Sequence, residues 1–268
     1  MAIKQLNDER KSATEAGVAA AISIIEQEGM WEKDKVFVIH VPGIHESLAG
    51  IVAGKIKERY YRPTIIFTDS AETPEILKGS ARSIPDYNIF EALTSAADLL
   101  DHFGGHPMAA GGSVRRENVD LLRKRLNKEA ALTEEQLVEK VYIDVPMPLC
   151  HASLALAEQI QQLEPFGTGN PRPLFADRGL QVEGLELTPS GKLLKLKVRD
   201  RNRNFFTIKS FSPEMLVNDI KMWSECDDCD KIVKYPQLDL IYRISVNEYN
   251  GDRSLEFWVE QYRKHEEQ

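Results

Sequence analysis

A chain of 268 residues is long for one ordinary domain and suits two of about 100–150 residues each. With 42% hydrophobic and 28% charged residues it has the composition of a globular protein, which excludes fibre or disorder, and no window approaches the ~20 apolar residues of a membrane helix. A net charge of −8 argues against a polyanionic partner for the chain as a whole, while three cysteines and no apolar leader after Met1 point to a reducing, cytoplasmic setting.

The first predicted element is a helix from about Asn7 to Glu28, with Asn7 as cap, Gly29 as stop, and Val18, Ile22 and Ile25 as its apolar stripe. Such a stripe at the start of a chain needs a partner, as expected if the sequence begins inside a larger protein, and this helical segment is placed at residues 1–30. The run Val36-Phe37-Val38-Ile39 reads as a buried strand, Ser47 to Tyr60 as a helix, and Thr64 to Thr68 as a second buried strand. Strand, long crossover and strand imply a parallel βαβ core. Leu77 to Ser83 is expected as an extended edge. Two helices, Asn88 to Asp101 and Glu117 to Leu126, are separated by the glycine-rich stretch Phe103 to Ser113. This α/β domain is placed at residues 31–130.

After the acidic linker Thr133-Glu134-Glu135 the pattern becomes β-rich. A short apolar Ile143-Asp144-Val145 precedes a helix from Ser153 to Gln162 and a Pro/Gly loop over residues 164–173. Strands follow at Leu174 to Leu187, Lys192 to Arg199 and Asn204 to Phe211, then a helix from Pro213 to Trp223. Two last strands, Leu238 to Tyr249 and Ser254 to Gln261, flank Asn250-Gly251, a strong hairpin signal. Three strands, a helix and two strands are the succession of an OB-fold barrel, a scaffold for oligonucleotides, here expected over residues 136–263.

Several segments carry chemistry. In Gly104-Gly105-His106-Pro107-Met108-Ala109-Ala110-Gly111-Gly112 small residues leave backbone N–H groups open to an anion, and His106 adds a donor. A plain glycine turn leading into an alanine-rich helix start is the competing reading. His102 and His106 are four apart, but the intervening glycines disfavour the helix a zinc pair needs. Cys226 and Cys229 form half of a zinc ribbon with no second half, since Cys150 is remote, and a surface loop is the better reading. His40, His151 and His265 read as ordinary core or surface histidines.

Between Lys192 and Lys209 the local balance is +6 within an acidic chain. Alternation in the strand buries Leu194, Leu196 and Val198 and turns Lys195, Lys197 and Arg199 outward, one charge every ~6.6–6.8 Å. In the next strand Phe205, Thr207 and Lys209 share one face and Phe206 and Ile208 the other, so one phenylalanine must face away from the core. Phe205 beside Lys195, Lys197, Arg199 and Lys209 matches the stacking platform and charged groove of single-strand binders. A lysine-guarded sheet edge is the alternative.

The glycine-rich stretch resembles the GGHxxAAG signature of the DHH-associated domain of DHH-superfamily phosphoesterases. Residues 44–53, beginning Ile44-His45-Glu46-Ser47, resemble the WHxGVxGIVA segment of the RecJ family of single-strand-DNA exonucleases, with Ile44 and Ser47 standing where that family usually has Trp and Gly. Ser80-Ala81-Arg82-Ser83 resembles its SxRS motif, residues 165–175 its PFGxGNPxPxF stretch, and Asn7-Asp8-Glu9-Arg10-Lys11 the helix after its catalytic domain. The resemblance implies an α/β DHH-associated domain and an OB barrel. It also implies phosphate or nucleic-acid contacts at His45, Ser80, Arg82, Ser83, Gly104, Gly105 and His106, with His106 on the phosphate side of the catalytic centre. Single-stranded DNA is the implied partner, with a DHH catalytic domain, its own or separate, holding Mn²⁺ or Mg²⁺; no metal ligands are expected in this chain, which carries no Asp-His-His motif. By this reading the chain alone binds without cutting. A phosphodiesterase of short or cyclic oligonucleotides, or a scaffold whose OB surface docks a single-strand-binding protein, are the alternatives, and no membrane is involved.

Overall fold

The computed structural model describes residues 2–226, 228 and 232–266. Cys229, half of the candidate thiol pair, lies outside the described residues; Cys150 and Cys226 are free thiols. Among the described residues no helix is long and apolar enough to cross a membrane. Two compact units divide between Lys140 and Val141.

The first unit opens with α1 (Ala2–Gln27), longer than predicted. Its buried side is Thr14, Gly17, Ala21 and Ile25, while Val18 and Ile22 are half-buried. The small side chains at 17 and 21 let α1 lie close: a Cβ on Gly17 would meet Ile44 at 3.0 Å and Val52 at 3.1 Å. Gly29, at φ 60°, breaks the helix before the short α2 (Met30–Lys33). Then come β1 (Phe37–His40), α3 (Glu46–Tyr60) and β2 (Thr64–Asp69), and β1 and β2 pair in parallel as the βαβ reading required.

The sheet departs from expectation at its next strand. β3 (Ile76–Arg82) is the middle strand of five, in the order β1-β2-β3-β5-β4, antiparallel to both neighbours, and not an edge. The glycine-rich stretch is no loop between helices either. It forms β4 (Leu100–His106) and β5 (Ala109–Arg115), a hairpin that turns at Pro107-Met108. Helix α4 is accordingly short (Ile89–Ser95), with a single 3-10 turn before β4 begins, and α5 is Val119–Glu129. Gly112 and Gly105 belong to the ladder because it leaves no room for a side chain: a Cβ on Gly112 would stand 2.7 Å from the His102 carbonyl oxygen, and one on Gly105 2.4 Å from that of Ala109. One face of the sheet packs Leu77, Ala81, Ala110 and Val114 with Leu93 of α4 and Leu122 and Leu126 of α5. Over β1 and β2 the other face is covered by α1 and α3 through Ile25, Phe37, Ile39, Val52, Ile56 and Ile66. The acidic linker folds back as a 3-10 turn closed by a Thr133/Gln136 capping box, and Leu132 and Leu137 bury against Ile84.

The second unit contains β6 (Val145–Pro146), α6 (Leu154–Gln161), β7 (Phe175–Leu187), β8 (Leu194–Arg199), β9 (Phe205–Ser210), α7 (Pro213–Trp223), β10 (Gln237–Tyr249) and β11 (Asp252–Lys264). The strands run β10-β11-β9-β8-β7, and β10 pairs again with β7, which closes a five-stranded barrel with β6 added beside β7. Closure removes the exposed edges that a flat sheet would carry. Asn250 and Gly251, at φ 51° and 86°, turn the β10–β11 hairpin as their sequence signals. Leu194, Leu196, Val198, Ile208, Leu240 and Ile244 fill the barrel with Leu216 and Ile220 of α7.

Candidate nucleic-acid interface

Directly paired residues of antiparallel strands point to the same side of a sheet. Arg82 of β3 pairs with Ala109 of β5, and Ala109 pairs with His106 of β4, so the three form one row. The neighbouring row on that face is Ser80, Gly111 and Gly104. This face lies opposite the packed core of α4 and α5. The result is a floor almost bare of side chains, with a hydroxyl at Ser80, a guanidinium at Arg82 and an exposed imidazole at His106. Nothing stands within 4 Å of where a Cβ on Gly104 would be, so this glycine keeps the floor open instead of fitting a tight ladder.

Arg82 is seated by two contacts. Its Nη1 donates to the Ala81 carbonyl at 2.8 Å, and Nη2 lies 2.8 Å from where a Cβ on Gly50 of α3 would stand. Only a glycine at 50 leaves that seat free. Lys78, two residues before Ser80, pairs with Glu46 in the first turn of α3 at 3.1 Å, which ties the helix N-terminus to the same strand. His45 is the N-cap, its Nδ1 accepting from the Ser47 backbone N–H at 3.2 Å and lying 2.8 Å from the Ser47 hydroxyl. With Nδ1 as the acceptor, the proton sits on Nε2, which is left to donate outward. The serine that replaces the family's usual glycine thus fixes this ring. Nearby, the Arg116 guanidinium at 2.6 Å, with the Gly43 N–H and His40, holds the Asp69 carboxyl below its ordinary value.

Ser83 does not join this face. It is 2% exposed and its hydroxyl donates to the Tyr87 carbonyl at 2.6 Å, so it secures the turn after β3 and has no surface to offer a phosphate. The anion nest expected of Gly104 and Gly105 is replaced by an edge strand, since β4 pairs with β5 on one side alone.

In the barrel, Lys195, Lys197 and Arg199 point outward as the alternation requires, but the row is not free. Lys195 pairs with Glu186 at 2.8 Å and Arg199 with Glu183 at 2.6 Å, both carboxylates on β7, and Lys209 pairs with Glu256 of β11. Lys195 holds the Glu186 carboxyl below its ordinary value, first through that hydrogen bond. Among the described residues Lys197 alone of the four is in no ion pair, although its charge also acts on the Glu186 carboxylate. Phe205 is the outward phenylalanine, 69% exposed, while Phe206 packs edge-on against Phe257. The sequence did not disclose a second aromatic platform. Phe211 stacks on Trp258 with centroids 4.6 Å apart and planes 16° off parallel, and Lys209 and Arg243 lie 5.4 and 5.2 Å from the Trp258 ring. It depends on β9 pairing in parallel with β11, a contact between residues some fifty positions apart that no local pattern signals.

Residues 33–132 match the DHHA1 domain family and residues 143–261 the RecJ OB domain family. The chain has the domain pair of RecJ. It is 30% identical over 260 residues to the single-stranded-DNA-specific exonuclease RecJ of Bacillus subtilis and 28% identical over 266 residues to that of Haemophilus influenzae. Each alignment covers 96% of this chain, but the chain spans only 31% and 44% of those relatives' lengths, which fits a C-terminal portion of RecJ. A crystal structure of Thermus thermophilus RecJ in complex with Mn²⁺ superposes with a TM-score of 0.68 at 25% identity, over 98% of this chain and 35% of that one. The barrel and the βαβ-containing sheet are therefore the RecJ OB and DHHA1 folds.

Among the described residues no group of three or more His, Cys, Asp or Glu side chains could hold a metal ion. The donors on the floor are a guanidinium, a hydroxyl and an imidazole, a set suited to an anion.

Proposed function

We propose that this chain is the substrate-holding portion of a RecJ-type, single-stranded-DNA-specific 5′→3′ exonuclease, gripping the strand while a separate DHH domain supplies the metal-dependent hydrolysis. The observation that carries the reading is the row of Arg82 and His106 beside the bare Gly104–Gly111 floor. A guanidinium offers a fixed fork of donors to a phosphodiester and remains charged at any working pH. Ser80 adds a hydroxyl, and glycines let the backbone of a nucleic acid approach the sheet closely. His106 hydrogen-bonds the phosphate next to the bond to be cut, and His45 Nε2 donates from the helix N-terminus, where the dipole favours an anion. On the barrel, Phe205 and the Phe211–Trp258 stack supply base-stacking surfaces, and Lys197 a charge outside any ion pair. No step runs through a metal held by these residues; the metal ions of the complete enzyme would activate water in the DHH domain.

The test is to incubate the purified chain with 5′-labelled single-stranded DNA and Mn²⁺, resolving products and complexes on gels. The strand should be retarded and remain at full length, with retardation weakened in Arg82→Ala and His106→Ala. Metal-dependent shortening abolished by His106→Ala would overturn the division of labour.

A further inference from the structure

In the barrel unit the first half of β7, the β8–β9 turn, the start of β10 and the end of β11 meet around a cleft of about 790 Å³. Asp239 is its anchor. The Gly179 N–H donates to one carboxylate oxygen at 3.1 Å, His265 Nδ1 donates to the same oxygen at 2.6 Å, and Arg263 Nε donates to the other at 3.0 Å, with Nη2 in ion-pair contact at 3.0 Å. Burial works to raise the Asp239 carboxyl, but these hydrogen bonds, His265 first among them, outweigh it and hold the group below its ordinary value. Because the carboxylate can only accept, the His265 proton is fixed on Nδ1 and Nε2 is left facing the cleft.

Gly179, at φ 68°, has no Cβ, and the Arg201 Nη2 and His265 Nε2 crowd over it, 3.1 and 3.4 Å from where a Cβ would stand. Arg178, Arg201 and Lys264 line the same cleft, and among the described residues the side chain of none of the three is in an ion pair or hydrogen bond. Among the described residues Glu266 is the only other carboxylate of the lining. Three unneutralised cations around a preset imidazole contrast with the β8 face, where Lys195 and Arg199 are already paired. Arg201 lies two residues past Arg199, the last of the outward β8 charges.

We infer that this rim cleft is a phosphate-binding site that takes consecutive backbone phosphates of a single strand running off the β8 face, and that it contributes more to the barrel's DNA affinity than the β8 row does. The inference rests on the single-strand reading above. It is tested with fluorescein-labelled dT30 and anisotropy over a salt series, comparing wild type, Arg178→Ala/Arg201→Ala/Lys264→Ala and Lys195→Ala/Lys197→Ala/Arg199→Ala. The rim variant should lose about ten-fold in affinity, and its log K against log salt slope should flatten by about 2, at ~0.7 per lost phosphate contact. The β8 variant should lose less. A rim variant within two-fold of wild type with an unchanged slope overturns the inference. Exposed Lys264→Ala alone, expected to flatten the slope by about 0.7, serves if the triple variant does not fold. If wild type does not bind dT30, the single-strand reading fails. The rim is then judged with tripolyphosphate by ¹⁵N shifts: movement of the Gly179 amide upholds a phosphate site, and no movement overturns it.

Discussion

Arg82 and His106, 24 positions apart on β3 and β4, flank the same residue, Ala109 of β5, and so stand at the two sides of one cross-strand row. A charged fork and an imidazole are thereby held at a spacing set by the sheet, with only a methyl between them. Everything assigned to the first unit depends on this row and on the bare floor beside it.

The two adjacent glycines of that stretch should respond oppositely to alanine. Gly105→Ala puts a methyl 2.4 Å from the Ala109 oxygen in a backbone ladder that cannot yield, so a loss of about 2 kcal/mol or more is expected in thermal or urea unfolding. Gly104→Ala meets nothing within 4 Å and should leave the melting temperature near wild type while weakening DNA binding, because the methyl intrudes on the floor. Equal stabilities for the two variants would contradict the register of β4 against β5.

Gly50→Ala should act like Arg82→Ala at a distance. Its methyl would occupy the place of Nη2, and the guanidinium, being the end of a flexible side chain, moves instead of the helix. Loss of one charge-assisted hydrogen bond is worth about 1.5–3 kcal/mol, so each variant should bind single-stranded DNA at least ten-fold more weakly. The double variant should be no worse than Arg82→Ala. Additive losses would show that Gly50 acts on something else.

The outward strand of charges was legible in the sequence because period-two alternation is local: Leu194, Leu196 and Val198 are fully buried and the basic residues between them face out. Their neutralisation was not legible, since Glu183, Glu186 and Glu256 become partners only through strand pairing. The same limit hid the β4–β5 hairpin. Glycine-rich runs have low intrinsic strand preference, and these are held in a ladder by the neighbours a Cβ would strike. Ser83 looked like its motif partners Ser80 and Arg82, but its fate was decided by the Tyr87 carbonyl four residues on. The rim cleft, drawn from four segments, left no local trace, and His265 read as ordinary until Asp239 faced it.

Removing the covering carboxylates gives a test by gain. Glu183→Gln/Glu186→Gln frees Lys195 and Arg199, whose exposed, solvent-screened pairs contribute little to stability. Affinity for single-stranded DNA should rise and the salt slope steepen by up to about 1.4, at ~0.7 per added phosphate contact. Unchanged binding would mean that the β8 face is a guarded sheet surface.

Phe205→Ala removes an exposed ring and should change stability by less than about 0.5 kcal/mol, whereas Phe211→Ala also breaks the stack on Trp258, worth about 0.5–1.5 kcal/mol. If each stacks one base, affinity should fall by about 1–3 kcal/mol, five-fold or more, for both oligo-dT and oligo-dA, since every base has a face to stack. Fluorescence quenching of Trp258 by bound DNA would report on the second platform, and its absence would remove Phe211 from the interface.

Asp69 gives a pH signature. Its carboxyl is held low by Arg116, so its stabilising effect is present above the ordinary carboxylate range and disappears as pH falls through the depressed folded value. Asp69→Asn should therefore melt below wild type at pH 7, and the gap should narrow as pH falls below the ordinary carboxylate range. A gap that is constant with pH would mean the hydrogen bonds do not depend on its charge.

The central claim, that an acidic chain of net charge −8 holds single-stranded DNA by its phosphates, is tested most directly by anisotropy of labelled dT30 with the wild-type chain at rising salt. Four phosphate contacts correspond to a slope near −2.8, or about a fifty-fold loss of affinity between 50 and 200 mM salt. The account expects at least that dependence. No measurable binding at low salt, or binding indifferent to salt, would contradict it.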